Sequence, residues 1–174
     1  MMIRKIKRNK SNNTYVLKKV IVLKEEVNSK YNYTKGVIFM NTAVKFFTDY
    51  MEKKNVRYTI LRDDLVQVSF KGKNMPQIEV RFCFGDDGRD VSAHVFSIAK
   101  VPDEKVGNAC FACSNLNDKW RWVKFYLDSD NEVTAGLDAV IDPYTTGEEC
   151  FELLIRMCDI VDEAYPDIMK MLWS

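Results

Sequence analysis

His94 is the only histidine in the chain, so acid–base chemistry near neutral pH would fall to it first. It alternates against Ala93 and Val95, which puts it on the polar face of a strand. No Ser or Cys stands at a spacing that would give it a nucleophile to activate, and proton transfer needs such a partner within reach. The hydrolase elbow, the phosphate-binding loop and the dinucleotide fingerprint are absent from the sequence. The expectation is a protein that is not an enzyme.

Cys110-Phe111-Ala112-Cys113 has the spacing of a redox pair or half a zinc site. A zinc ribbon needs a second pair or nearby histidines, and a thioredoxin-like pair needs the helix N-terminus, whose dipole lowers the thiol pKa. Here the pair falls mid-helix, in an inward stripe of Val106, Ala109, Cys110, Cys113 and Leu116. All five cysteines, with Cys83, Cys150 and Cys158, fall within expected strands or helices, and their number is odd. Free, buried thiols in a reducing compartment account for that pattern.

Asp128-Ser129-Asp130-Asn131-Glu132 opens like a calcium loop, but the glycine at the sixth position and the distal glutamate are missing. It reads as a hairpin turn rich in Asx side chains. Asp86, Asp87 and Asp90 make a second acidic turn. No metal site and no cofactor are expected.

Charge is distributed unevenly. Residues 1–40 carry ten Lys and Arg against Glu25 and Glu26, a net +8, and the other 134 residues carry 16 basic and 23 acidic groups, a net −7. Arg4, Lys5, Lys7, Arg8 and Lys10 form a possible anion-binding set for nucleic acid or an anionic surface, and the basic arm could also be drawn to the acidic body. Trp120, Trp122, Lys124 and Tyr126 share one strand face, and Arg121, Val123, Phe125 and Leu127 the other. One face must be core, and an acidic body repels phosphate, which argues against a nucleic-acid-binding sheet.

The elements that position these residues follow from periodicity. Asn41 or Thr42 caps a helix whose apolar residues are Ala43, Val44, Phe47, Tyr50 and Met51. Strands are expected at Val56–Leu61, at Leu65–Lys71, at alternating Ile78, Val80, Phe82 and Phe84, and again through Val91, Ala93 and Val95. Pro102 opens a second helix with Asp103 and Glu104 in its first turn, closing at Asn115–Asn117. Two strands, Lys119–Asp128 and Glu132–Ile141, flank the acidic turn, and a long helix runs from Thr146 to Trp173. The order α-β-β-β-β-α-β-β-α gives an α+β domain: an antiparallel sheet of about six strands with helices on one face.

The last helix has two apolar stripes, one through Phe151, Leu154, Cys158, Val161 and Tyr165, the other through Cys150, Leu153, Met157, Ile160 and Ala164. Its polar line is Glu152, Arg156, Asp159 and Glu163. Such an arc exceeds what one sheet face needs, so either the first helix or another subunit covers the remainder. Phe151, Leu154, Met169, Met171, Leu172 and Trp173 are the expected protein-interaction surface.

No apolar run approaches the ~20 residues of a membrane span. Met1-Met2-Ile3-Arg4-Lys5 looks like the start of a signal peptide, but Val20-Ile21-Val22-Leu23 is too short for its apolar region. A cytoplasmic protein is expected. Residues 1–35 read as a basic extension and 36–174 as the folded domain.

Asn115-Leu116-Asn117, Lys124-Phe125-Tyr126-Leu127-Asp128 and Tyr165-Pro166, in this element order, resemble the YbjN-type family of bacterial sensory-transduction regulators. The resemblance covers Gly36 to Trp173. It implies a fold like that of the type III secretion chaperones and a domain that is non-enzymatic, often paired with itself, and that binds macromolecules. It carries over no catalytic residue. The resulting expectation is a cytoplasmic homodimer, regulator or chaperone-like, that binds a segment of an unidentified protein partner without inserting into membranes. The alternative is a nucleic-acid-associated accessory protein that uses the basic arm.

Overall fold

Asn41 caps the first helix as its type predicts: its side chain accepts from the Ala43 N–H at 2.9 Å and donates to the Gly85 carbonyl at 2.8 Å. The computed structural model describes residues 41–142 and 144–173. The expected domain start at Gly36, the apolar run Val20-Ile21-Val22-Leu23 and the possible anion-binding set of Arg4, Lys5, Lys7, Arg8 and Lys10 lie outside the described residues.

Helix α1 (Thr42–Lys53) buries Ala43, Val44, Phe47, Thr48 and Met51. It ends in a left-handed cap: Asn55 takes φ +55°, Asn55 N–H bonds to Glu52 O, and Val56 N–H bonds to Met51 O. Asn tolerates this conformation better than most residues. Because Asn55 and Val56 belong to the cap, β1 (Thr59–Arg62) starts later than the expected Val56.

Strands β2 (Leu65–Phe70), β3 (Ile78–Phe84) and β4 (Asp90–Lys100) form an antiparallel meander with β1. Alternate residues of β2 and β3 are buried, as the period of two predicts. Strand β4 runs beyond the expected Val95 through a bulge, where Ser97 takes φ +52°. A single 3-10 turn, Asp103–Lys105, follows Pro102 and leads into α2 (Val106–Lys119), two residues longer than expected.

The closing hairpin pairs β5 (Lys124–Leu127) with β6 (Glu132–Val140), and β6 inserts beside β4 to give the order β1-β2-β3-β4-β6-β5. As an edge strand, β5 has one line of backbone groups unpaired by the sheet. Asn117 of α2 takes two of them: Phe125 N–H donates to its Oδ1 at 2.7 Å, and its Nδ2 donates to Phe125 O at 2.9 Å.

Helix α3 (Thr146–Trp173) spans the expected residues. The core lies between the sheet and the helices, with Phe47 of α1 against Phe82 at 4.8 Å and Phe84 at 5.7 Å between ring centroids. No described helix packs on the opposite sheet face. There the register lines up Thr59, Gln67, Arg81, His94, Gly136 and Lys124 across all six strands. No helix among the described residues is long and apolar enough to cross a membrane.

Candidate functional site

The site is built where α1 crosses α3. Gly147 stands in the first turn of α3, and a Cβ there would lie 2.6 Å from Tyr50 Cβ and 2.9 Å from the Phe46 carbonyl. Only glycine permits this approach, which brings the Tyr50 and Phe151 rings to 5.6 Å. Lys54 lies over both rings, at 5.1 Å and 5.7 Å from their centroids.

A second aromatic group faces them across the helix. Trp122, 48% exposed, is flanked by Arg156 at 4.8 Å and Arg121 at 5.5 Å from the ring centroid. Arg156 also pairs with Glu152 one turn earlier at 2.6 Å. Between the two groups runs a groove of about 1060 Å³, lined by Ile155 and Cys158 of α3 and by Val140 of β6 as well as the aromatics. Glu148, Glu149 and Glu152 stand along it. That volume is at the upper end of small-ligand pockets and suits a chain segment.

The residues expected to form one interaction surface divide into two places. Phe151 and Leu154 line the groove. Leu154, however, is only 1% exposed and belongs to the core, so it is not available to a partner as expected. Met169, Met171 and Leu172 are partly buried against the core, and Trp173 is 83% exposed. The 22 residues between Phe151 and Trp173 put them about 33 Å apart on one helix. The wide apolar arc of α3 therefore needs no second subunit along most of its length. Helix α1 packs on one side, α2 on another, and β3 and β4 lie beneath.

The other candidates are placed as follows. His94 is partly buried, stacked on Phe96 at 5.2 Å, with Nδ1 3.4 Å from the Tyr126 hydroxyl. Its ring lies over Gly136, where a Cβ would stand 2.9 Å from Nδ1. Burial lowers its pKa against the opposing pull of Asp138. Cys110 is exposed, not inward as expected, and Cys83 is only partly buried. The buried stripe of α2 is confined to Ala109, Cys113 and Leu116, at spacings of four and three, and Cys110 lies about 100° away from Ala109. Burial pushes the Cys113 thiol up to about 11 and the Cys150 thiol up to about 12.

Asp128 is an Asx turn residue: its carboxylate accepts from Glu132 N–H at 2.9 Å, Asp130 N–H at 3.0 Å and the Thr134 hydroxyl at 3.3 Å. Those bonds, led by the one from Glu132, hold its pKa below the usual range. The two acidic turns lie at opposite ends of β4, since Asp90 pairs with Val140 and Lys100 with Glu132. About 30 Å of strand separates them, too far for a shared ion. Among the described residues, no group of three or more His, Cys, Asp or Glu is placed to hold a metal.

A family model described as "Putative bacterial sensory transduction regulator", YbjN, matches residues 48–168. The chain belongs to the YbjN family. The match takes in the groove and stops short of Met169, Met171, Leu172 and Trp173. A solved structure described as "Crystal structure of YbjN, a putative transcription regulator from E. coli" is similar in fold, with a TM-score of 0.50 and 12% identity. The similarity covers 70% of this chain and 90% of that one. At that identity it speaks for the YbjN fold alone. The chain matches no curated protein.

Sequence reasoning missed Lys54, Trp122, Ile155 and Arg156 as groove residues and placed Tyr50 only in a core stripe. The signal within reach was Gly147, a glycine inside a helix start followed four residues later by Phe151.

Proposed function

We propose that this YbjN-family chain is a non-catalytic interaction domain that holds a segment of another protein in the groove over α3. The observation that carries this reading is the groove itself, about 1060 Å³, flanked by two aromatic groups that each carry a cation. A peptide with apolar side chains gains contact with Phe151, Ile155 and Trp122, while Glu148 and Glu149 favour basic residues beside them. The chain acts as a homodimer through the distal end of α3, where Trp173 is exposed one turn beyond Met169. Regulation then follows from which segment is held.

Selection of displayed random peptides on the full chain tests the reading. Apolar, basic peptides should be enriched, and the double variant Phe151→Asp with Trp122→Ala should lose them while keeping the native far-UV spectrum. Enrichment that survives both changes places the seat elsewhere.

A further inference from the structure

The groove has a candidate occupant in the same chain. Between Thr14 and Lys24 stand seven apolar residues, Tyr15, Val16, Leu17, Val20, Ile21, Val22 and Leu23, together with Lys18, Lys19 and Lys24. A cluster of this kind gains by leaving water, and its lysines can meet Glu148 and Glu149 in a groove whose charged lining is Glu148, Glu149, Glu152 and Asp159 against Lys53, Lys54 and Arg156, with Glu152 already paired to Arg156. Residues 1–40 carry +8 and the remainder −7, so the long-range field points the same way.

Reach is ample. The described chain begins at Asn41, anchored to Gly85 O at the start of α1. The Tyr50–Lys54 bank of the groove lies at the other end of that helix, about 18 Å away. The eighteen residues from Leu23 to Asn41 span up to about 59 Å when extended. A tether of that length holds its segment at an effective concentration on the order of millimolar, so even modest contacts are populated.

We propose that residues 14–24 dock in the α1–α3 groove of their own chain and must be displaced before a partner segment enters. This rests on the reading of the groove as a peptide seat. It makes occupancy a matter of competition between a tethered basic segment and a free one.

Zero-length carbodiimide cross-linking of the full chain, mixed from ¹⁵N-labelled and unlabelled protein, tests it. Lys18, Lys19 or Lys24 should join to Glu148, Glu149 or Glu152 within single-isotope chains. The double variant Ile21→Asp with Leu23→Asp, which lies outside the described fold, should lose those links and bind groove peptides more tightly. Links to Glu79 or Asp138, links between isotopes, or no links from these lysines would each overturn the proposal. If the links are absent and peptides still bind in a Phe151-dependent way, the inference fails and the proposed function stands. If the links form and no peptide binds even to the arm variant, the arm assignment stands and the proposed function fails.

Discussion

Asn74 donates twice to Asp162: its backbone N–H to Oδ1 at 2.8 Å and its side-chain Nδ2 to the main-chain carbonyl at 2.9 Å. That carbonyl is the one that Pro166, four residues on and without an N–H, leaves unpaired inside α3. The Asp162 carboxylate also accepts from Lys73 N–H at 3.1 Å and Met75 N–H at 2.9 Å, so the β2–β3 loop is fastened to the helix where the helix is weakest. A Cβ on Gly72 would meet Oδ1 at 2.2 Å, which fixes glycine there. Asp162→Ala removes the acceptor of three loop N–H groups, of which those of Lys73 and Asn74 are exposed and can turn to water, and should cost about 1.5–3 kcal/mol, the worth of one hydrogen bond to a charged group. The check is a lower urea midpoint with an unchanged slope. A midpoint equal to that of the native chain would mean the loop is held by other contacts.

Gly147→Ala sets two effects against each other. Alanine is favoured over glycine in a helix by about 1 kcal/mol. Its Cβ, however, would lie 2.6 Å from Tyr50 Cβ and 2.9 Å from the Phe46 carbonyl, neither of which is a flexible chain end. Overpacking costs about 1–3 kcal/mol, so the variant should be less stable and α1 should move off α3. Thermal unfolding measures the first effect. Weaker peptide binding measures the second, because Tyr50 and Phe151 then no longer face Lys54 together.

His94 should make stability depend on pH in one window. In the unfolded chain it takes up a proton near 6.5, and in the folded chain burial moves that uptake lower despite Asp138. Between those two values the unfolded state holds more protons, so stability is fully present above about 6.5 and falls as the pH drops through the window. Replacing His94 by Gln should flatten urea midpoints measured between pH 7 and pH 5. Asp128, whose depressed pKa acts only at lower pH, leaves that range undisturbed. An unchanged slope in the variant would assign the dependence to other groups.

The fold was legible wherever one local period decides the structure. The alternation of Ile78, Val80, Phe82 and Phe84 against Glu79, Arg81 and Cys83 fixes which face of β3 is buried, because successive strand residues point opposite ways. The Asp128–Glu132 turn was legible as a turn because Asx side chains bond their own backbone. What covers a helix is not written in its own period. The stripes of α3 read the same whether α1, α2 or a second chain lies on them, so the helix was assigned a partner surface through Leu154 that α1 and the sheet in fact occupy. Cys110 illustrates the same limit. It stands three residues from buried Cys113, yet only a narrow stripe of α2 meets the core. The groove was hidden for a further reason: Tyr50, Trp122 and Phe151 are brought together by the Gly147 crossing and the connection from α2 into β5, neither of which is a local pattern.

Leu154→Asp and Trp173→Asp should therefore separate folding from self-association. Leu154 fills a closed site, and removing a leucine from such a site costs about 2–5 kcal/mol before the carboxylate is counted. Against a total stability of about 5–15 kcal/mol, this change should unfold much of the protein, so it cannot report on a partner surface. Trp173 is 83% exposed, and its replacement leaves the core untouched. Trp173→Asp should keep the native far-UV spectrum, lose the concentration dependence of the melting temperature that association gives, and shift the mass seen by light scattering from two chains to one. If the native chain already scatters as one chain across the accessible concentration range, the distal end of α3 is not a dimer contact, and the groove is left as the interaction site to test.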